Sequence, residues 1–209
     1  MSKTQATQIF THERSSMYEI PTTIVIDGQE FPIRCKGDYR MVLDCFVCLN
    51  DFELEEQERV IACLIIFYEC FNTVQDVYSV DGELLKKMVQ AMYDFFSCGE
   101  NPMKSMPYKT IDWTKDGQLI ASAVNKVAHV EVRSLEYLHW WTFLGYFSEV
   151  GESVLSTVVS IRNKIKRGKK LEKYEKEFKN ENPHYFIWDS RTAEQIKDDE
   201  DILNIWNKQ

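Results

Sequence analysis

"SLEYLHWWTFLGYFSE", Ser134 to Glu149, sets two tryptophans, two tyrosines, two phenylalanines and a histidine within sixteen residues. Wound as a helix at about 100° per residue, Tyr137, Trp140, Trp141, Phe143, Leu144 and Phe147 fall on one broad arc. Leu135, Leu138 and Tyr146 fall on the other side. A helix apolar nearly all round belongs in the interior of a domain, so this segment predicts a central core helix and a mainly α fold. Ser134 is placed to cap its N-terminus, and Glu136 would suit the dipole of its first turn. His139, three residues beyond Glu136, is close enough to pair with it.

Helical signals continue on the N-terminal side. Asp38 can cap a helix running to about Leu49, with Met41, Val42, Cys45, Cys48 and Leu49 inward. A second helix is expected from about Leu54 to Phe71. Asp81-Gly82 opens a third and Gly99 closes it, and Asp112 is the candidate cap for a fourth over "DWTKDGQLIASAVNKVAHV". Beyond the aromatic segment, "ESVLSTVVSIRNKI" reads as a sixth. One β signal precedes them all. In "TTIVIDGQEFPIRC", Thr22 to Cys35, two β-rich runs flank Asp27-Gly28, a two-residue hairpin signature. Pro32 makes the second run an edge strand. The fold class read from the chain is therefore a helical bundle with a small N-terminal β-hairpin. Residues 1–17 read as disordered, 18–182 as the helical domain and 183–209 as a C-terminal arm.

At 209 residues the chain holds one domain with appendages, and its 44% apolar content suffices for a core. The formal charge of −8 argues against general nucleic-acid affinity. The first 18 residues lack the apolar run of a secretory signal. Val60 to Tyr68, the longest strongly apolar stretch, has nine residues, too few to span a bilayer as a helix. A soluble chain in the cytosol is the expectation, with its six cysteines reduced and mostly buried as small hydrophobes. Cys45 and Cys48 have a zinc-like spacing but no second pair or nearby histidine, so core packing is the better reading.

No phosphate loop, dinucleotide turn, nucleophile elbow or zinc-protease motif is present, and no catalytic, cofactor or metal residues are assigned. The acidic run Asp198 to Asp201 lacks the alternation of a calcium loop. Two features remain. Between Arg162 and Lys179 the chain carries nine basic and three acidic residues, a net of +6 against −14 elsewhere. Read as one helix, this stretch would be solvated or would dock a partner, with phosphate tracking as the rival use. Glu172–Lys176 and Glu175–Lys179 would support it as i,i+4 pairs. After Asn182, Tyr185, Phe186, Ile187 and Trp188 cluster beyond a proline, and Ile202, Leu203 and Trp206 share one face of a short helical pattern. Helices this short are marginal alone, so the arm either docks on its own bundle or orders on a partner or another copy of the chain. The candidate partner-binding residues are Lys166, Arg167, Lys169, Lys170, Lys173, Tyr185, Phe186, Trp188 and Trp206.

"EYLHWWTF" resembles the signature of the bacteriophage "Gp fifteen" proteins of siphophages and prophages of Gram-positive hosts. That family has a similar Leu-His-Trp-Trp helix after a segment like "IDWTKDGQLIASAV". Its opening hairpin is matched by Pro21-Thr22, Gly28 and Pro32-Ile33, and its aromatic Cys-Gly turn by "YDFFSCGE", Tyr93 to Glu100. The likeness covers roughly Tyr18 to Phe178. The resemblance implies a protein of the tail-morphogenesis module, acting in the host bacterial cytoplasm as a tail assembly chaperone. Its implied partners are the tape-measure protein and the tail tube protein, with no catalytic residues to carry over. The alternatives are a structural connector of the tail and a nucleic-acid-binding accessory protein.

Overall fold

The computed structural model describes residues 19–51, 53–99 and 110–187. It is mainly α, with eight α-helices and one two-stranded antiparallel hairpin among the described residues. The chain divides into two compact units, one running to Thr157 and one from Val158. None of these helices is long and apolar enough to cross a membrane.

In the first unit, strands β1 (Thr23–Ile26) and β2 (Gln29–Pro32) meet at Asp27-Gly28 as expected. Both turn residues have positive φ, 52° and 81°. That backbone suits the twist of a two-residue hairpin. Ile24, Ile26 and Phe31 face the core. Pro32 ends the second strand, where its lost donor matters least. The chain then turns through Cys35, Lys36 and Gly37, all left-handed, at φ 50°, 52° and 77°. Gly37 is required there: a Cβ would come within 2.9 Å of both His139 Nε2 and Phe95 Cζ.

Helix α1 (Tyr39–Leu49) starts at Asp38, whose carboxylate accepts the Arg40 amide. The same carboxylate accepts the Leu138 amide at 2.9 Å and pairs with the Arg40 guanidinium at 3.0 Å. Helix α2 (Glu56–Phe67) is shorter than expected at both ends. Glu55 and Glu58 form a capping box at its start. At its end Arg34 donates to the carbonyls of Ile65, Tyr68 and Phe71, and Tyr68 turns extended to bridge Ile33. Helix α3 (Val74–Tyr78) was not anticipated, although Thr73 and Asp76 form a legible capping box. Helix α4 (Gly82–Phe96) begins at Asp81 as read and is closed by the Gly99 amide on the Asp94 carbonyl, 2.7 Å. Helix α5 (Gly117–Ala128) starts four residues later than expected. Asp112 instead ties a turn: it accepts the Thr114 and Lys115 amides, while its own amide donates to Asp116.

The aromatic segment needs the largest correction. Helix α6 is only Trp140–Ser148. Ser134 lies in a 3-10 turn, Val132–Ser134, and the chain reaches His139 extended, bridging Asp38. His139 is the actual N-cap. Its Nδ1 accepts the Trp141 amide at 3.1 Å, and its Nε2 lies 3.0 Å from the Pro21 carbonyl. Both nitrogens are thereby engaged, and Glu136 stays exposed outside the helix rather than pairing with it. Because Nδ1 accepts an amide and Nε2 faces a carbonyl, the single proton sits on Nε2 and the ring is neutral. Burial holds its pKa below the ordinary imidazole value, against the opposing Pro21 hydrogen bond and Asp38 charge.

The rings do fill a core. Trp140 and Phe143 are buried, whereas Trp141, Leu144, Tyr146 and Phe147 are half-buried. The two indoles donate to the last carbonyls of α4, Trp140 to Phe96 at 2.9 Å and Trp141 to Phe95 at 2.8 Å. Carbonyls in the last turn of a helix lack intrahelical partners; the Phe95 carbonyl also takes the Cys98 amide at 3.1 Å. Around Trp140, edge-on and stacked contacts reach Phe46, Trp113 and Phe143. Cys45 and Cys63 are buried face to face, the Cys63 sulfur 3.2 Å from the Cys45 carbonyl. Hydrogen bonding between the two side chains, then burial, pushes the Cys45 thiol far above its usual range. Cys35 and Cys70 are exposed, contrary to the buried role expected of most cysteines.

In the second unit, helix α7 (Val154–Lys166, entering from the first) is followed by α8 (Lys173–Glu181) and a 3-10 turn, Pro183–Phe186. The basic stretch is thus two helices, not one.

Candidate interaction surface

The break in the basic stretch is made by Gly168, at φ +63°. The Lys169 amide donates to the Lys164 carbonyl at 2.8 Å and the Gly168 amide to the Ile165 carbonyl at 3.0 Å. This is the pattern by which a left-handed glycine closes a helix. The basic residues at the end of α7 also suit its dipole.

Across the turn an ion pair ties α7 to α8. Lys164 Nζ lies 2.8 Å from the Glu175 carboxylate, which is almost wholly covered. The same carboxylate accepts the Glu172 amide in a capping box, so Glu172 and Glu175 are spent on capping and on Lys164. The i,i+4 pairs expected from Glu172 and Glu175 are replaced accordingly. The Lys164 hydrogen bond, then the Glu172 amide, holds the Glu175 carboxyl below its ordinary range. Arg162 closes the other end, donating from Nε and Nη2 to the Tyr185 carbonyl at 2.9 and 2.6 Å. Phe178 and Phe186 meet edge to face, ring centroids 6.4 Å apart.

Tyr185 and Phe186 are therefore half-covered parts of this unit's own packing. Lys166, Arg167, Lys169, Lys170 and Lys173 are all exposed around the one turn. Exposed Ile165 and Tyr174 flank them, and Ile187 is exposed beyond. Ile165 escaped the sequence reading because a continuous helix gave no reason to single it out. Trp188 and Trp206 lie outside the described residues, as does the proposed N-terminal disorder.

Open clefts among the described residues of the first unit include two. One, about 600 Å³, is lined by Arg34, Asp38, Arg40, Asp44, Glu136 and Tyr137, among others. Its arginines are already committed: Arg34 to the end of α2, and Arg40 to Asp38 and to the Leu135 carbonyl at 2.6 Å. The other, about 380 Å³, has Tyr39, Trp113 and Phe143 in its wall. No group of three or more histidine, cysteine or carboxylate side chains suited to a metal occurs among the described residues.

A family model described as "Bacteriophage Gp15 protein" matches residues 17–185. The chain belongs to the bacteriophage Gp15 family. It is thereby a phage protein of the structural or assembly-related kind. No curated protein and no solved structure matches it. The Gp15 match spans the hairpin, every described helix and the turn that carries Tyr185. Within the first unit, the landmarks that carried the resemblance converge. His139 reaches Pro21, the two indoles bond Phe95 and Phe96, and Trp113 lies against Phe46, Trp140 and Phe147. The signature of this Gp15 protein is thus a structural joint, and its exposed basic turn lies apart from it in sequence.

Proposed function

We propose that this Gp15 protein is a non-enzymatic tail assembly factor that binds the tape-measure protein of its phage during tail morphogenesis. The observation that carries this reading is the second unit's turn, where Ile165 and Tyr174 stand exposed among five exposed basic side chains. Membership of a phage family supplies the context. Exposed apolar residues rimmed by charge fit an amphipathic helix laid along them, and the tape-measure protein offers long helices of this type. Covering their apolar stripes in the host cytoplasm would prevent self-association until tail tube subunits enclose them. The basic rim would pair with acidic residues beside the stripe and speed encounter.

Co-expression tests this. The tape-measure protein of the same phage should stay in the supernatant when this chain is present and pellet without it. The chain should also be missing from purified virions. A tape-measure protein that pellets equally in both cases would overturn the reading. A fixed copy number in virions would favour a tail connector instead.

A further inference from the structure

We infer that Cys45 and Cys63 are an oxidisable clamp in the first unit, two thiols that a peroxide joins as a disulfide across the contact between α1 and α2. Both side chains are wholly buried. Their contact runs in both directions. The Cys63 sulfur lies 3.2 Å from the Cys45 carbonyl, and the Cys45 sulfur lies 3.9 Å from the Cys63 carbonyl. The two side chains also share a hydrogen bond, so the sulfurs touch. A buried cysteine alone is only a small hydrophobe. Here one comes from each helix, sulfur against sulfur, with each main chain close to the other side chain. A disulfide requires that approach, with Cα atoms about 4.4–6.8 Å apart. The pair is 18 positions apart in sequence, so the bond would close a loop between two helices.

The oxidation balances with one hydrogen peroxide. One thiol loses its proton and its sulfur takes an oxygen as the O–O bond breaks, which gives a sulfenic acid and water. The second sulfur then attacks the first. The S–S bond forms, the S–O bond breaks, and the departing hydroxide leaves as water with the second thiol's proton. Two thiols become one disulfide, and the peroxide is reduced to two waters. The shared hydrogen bond and burial hold the Cys45 thiol protonated, so the pair reacts only as the helices part transiently. Once closed, the loop restricts the unfolded chain and stabilises α1 on α2. Half-buried Cys48, one turn further along α1, is the competing partner for Cys63.

Hydrogen peroxide treatment of the full-length natural chain, followed by tryptic digestion without reductant, tests the clamp. Peptides 41–59 and 60–86 should be joined, and fragmentation should place the bond between Cys45 and Cys63. The yield should be the same at tenfold lower protein concentration. The variant Cys35→Ser, Cys48→Ser, Cys70→Ser keeps one cysteine in each of the two peptides and should give the same joined pair. Its urea midpoint after oxidation should fall when dithiothreitol is added, since that reductant cuts the disulfide and leaves oxidised methionine as it is. No joined pair in the natural chain, a bond from Cys63 to Cys48 or Cys70, or a yield that falls on dilution would each overturn the inference. So would a midpoint that dithiothreitol leaves unchanged or raises.

Discussion

At the scale of single residues, His139 does most with least. One neutral imidazole caps α6 and holds the Pro21 carbonyl, with both nitrogens used. Because burial depresses its pKa, the folded chain binds this proton less readily than the unfolded one. Its contribution is full above the unfolded value, about 6.5, and is lost as pH falls from there through the lowered folded value. Asn at 139 can still cap but cannot titrate. The stability gap between the natural chain and His139→Asn, from urea unfolding, should therefore be wider at pH 7.5 than at pH 5. An unchanged gap would place the protonated ring in the fold. Gly37→Ala should cost at least about 2 kcal/mol, from left-handed strain plus the clash with His139 and Phe95. The thiols provide a simpler check. Mild alkylation should modify Cys35 and Cys70 well before buried Cys45 and Cys63. Equal rates would contradict the packing of α1 on α2.

Elements show which parts of the fold were legible and why. The hairpin and the caps at Asp38 and Asp81 were readable because each is settled within a few residues. The start of α6 was not. Ser134 is a sound local cap, but Leu138 and His139 pair with Asp38, about a hundred positions away, and that contact is invisible in local pattern. Likewise α2 ends at Phe67, short of the expected Phe71, where Arg34 meets the carbonyls of Ile65, Tyr68 and Phe71. The basic stretch misled because lysines and glutamates suit helices anywhere, while one left-handed glycine decides its course. The aromatic helix was correctly placed in the core, and its two indoles were not foreseen as caps for α4. Trp140→Ala should cost about 3–5 kcal/mol, since it empties a large buried site. It also strands the Phe96 carbonyl. A urea midpoint matching that of the natural chain would contradict the core assignment.

For the molecule as a whole, the family, the α class and the hairpin were within reach of the sequence, because four landmarks stand in order along the chain. The surface was harder. Five of the candidate binding residues are exposed around one turn, yet Tyr185 and Phe186 are taken up in their own unit's packing, which only the Arg162 and Phe178 contacts reveal. The aromatic scaffold is thus distinct from the basic, apolar turn that is proposed to bind. The most direct test is a binding measurement between the purified full-length chain and the tape-measure protein of the same phage, at two salt concentrations, with and without Ile165→Glu and Tyr174→Glu. The account predicts a stoichiometric complex that weakens with salt and is lost in the double variant while its unfolding midpoint stays unchanged. Equal binding by the variant, or no complex with the natural chain, would contradict it.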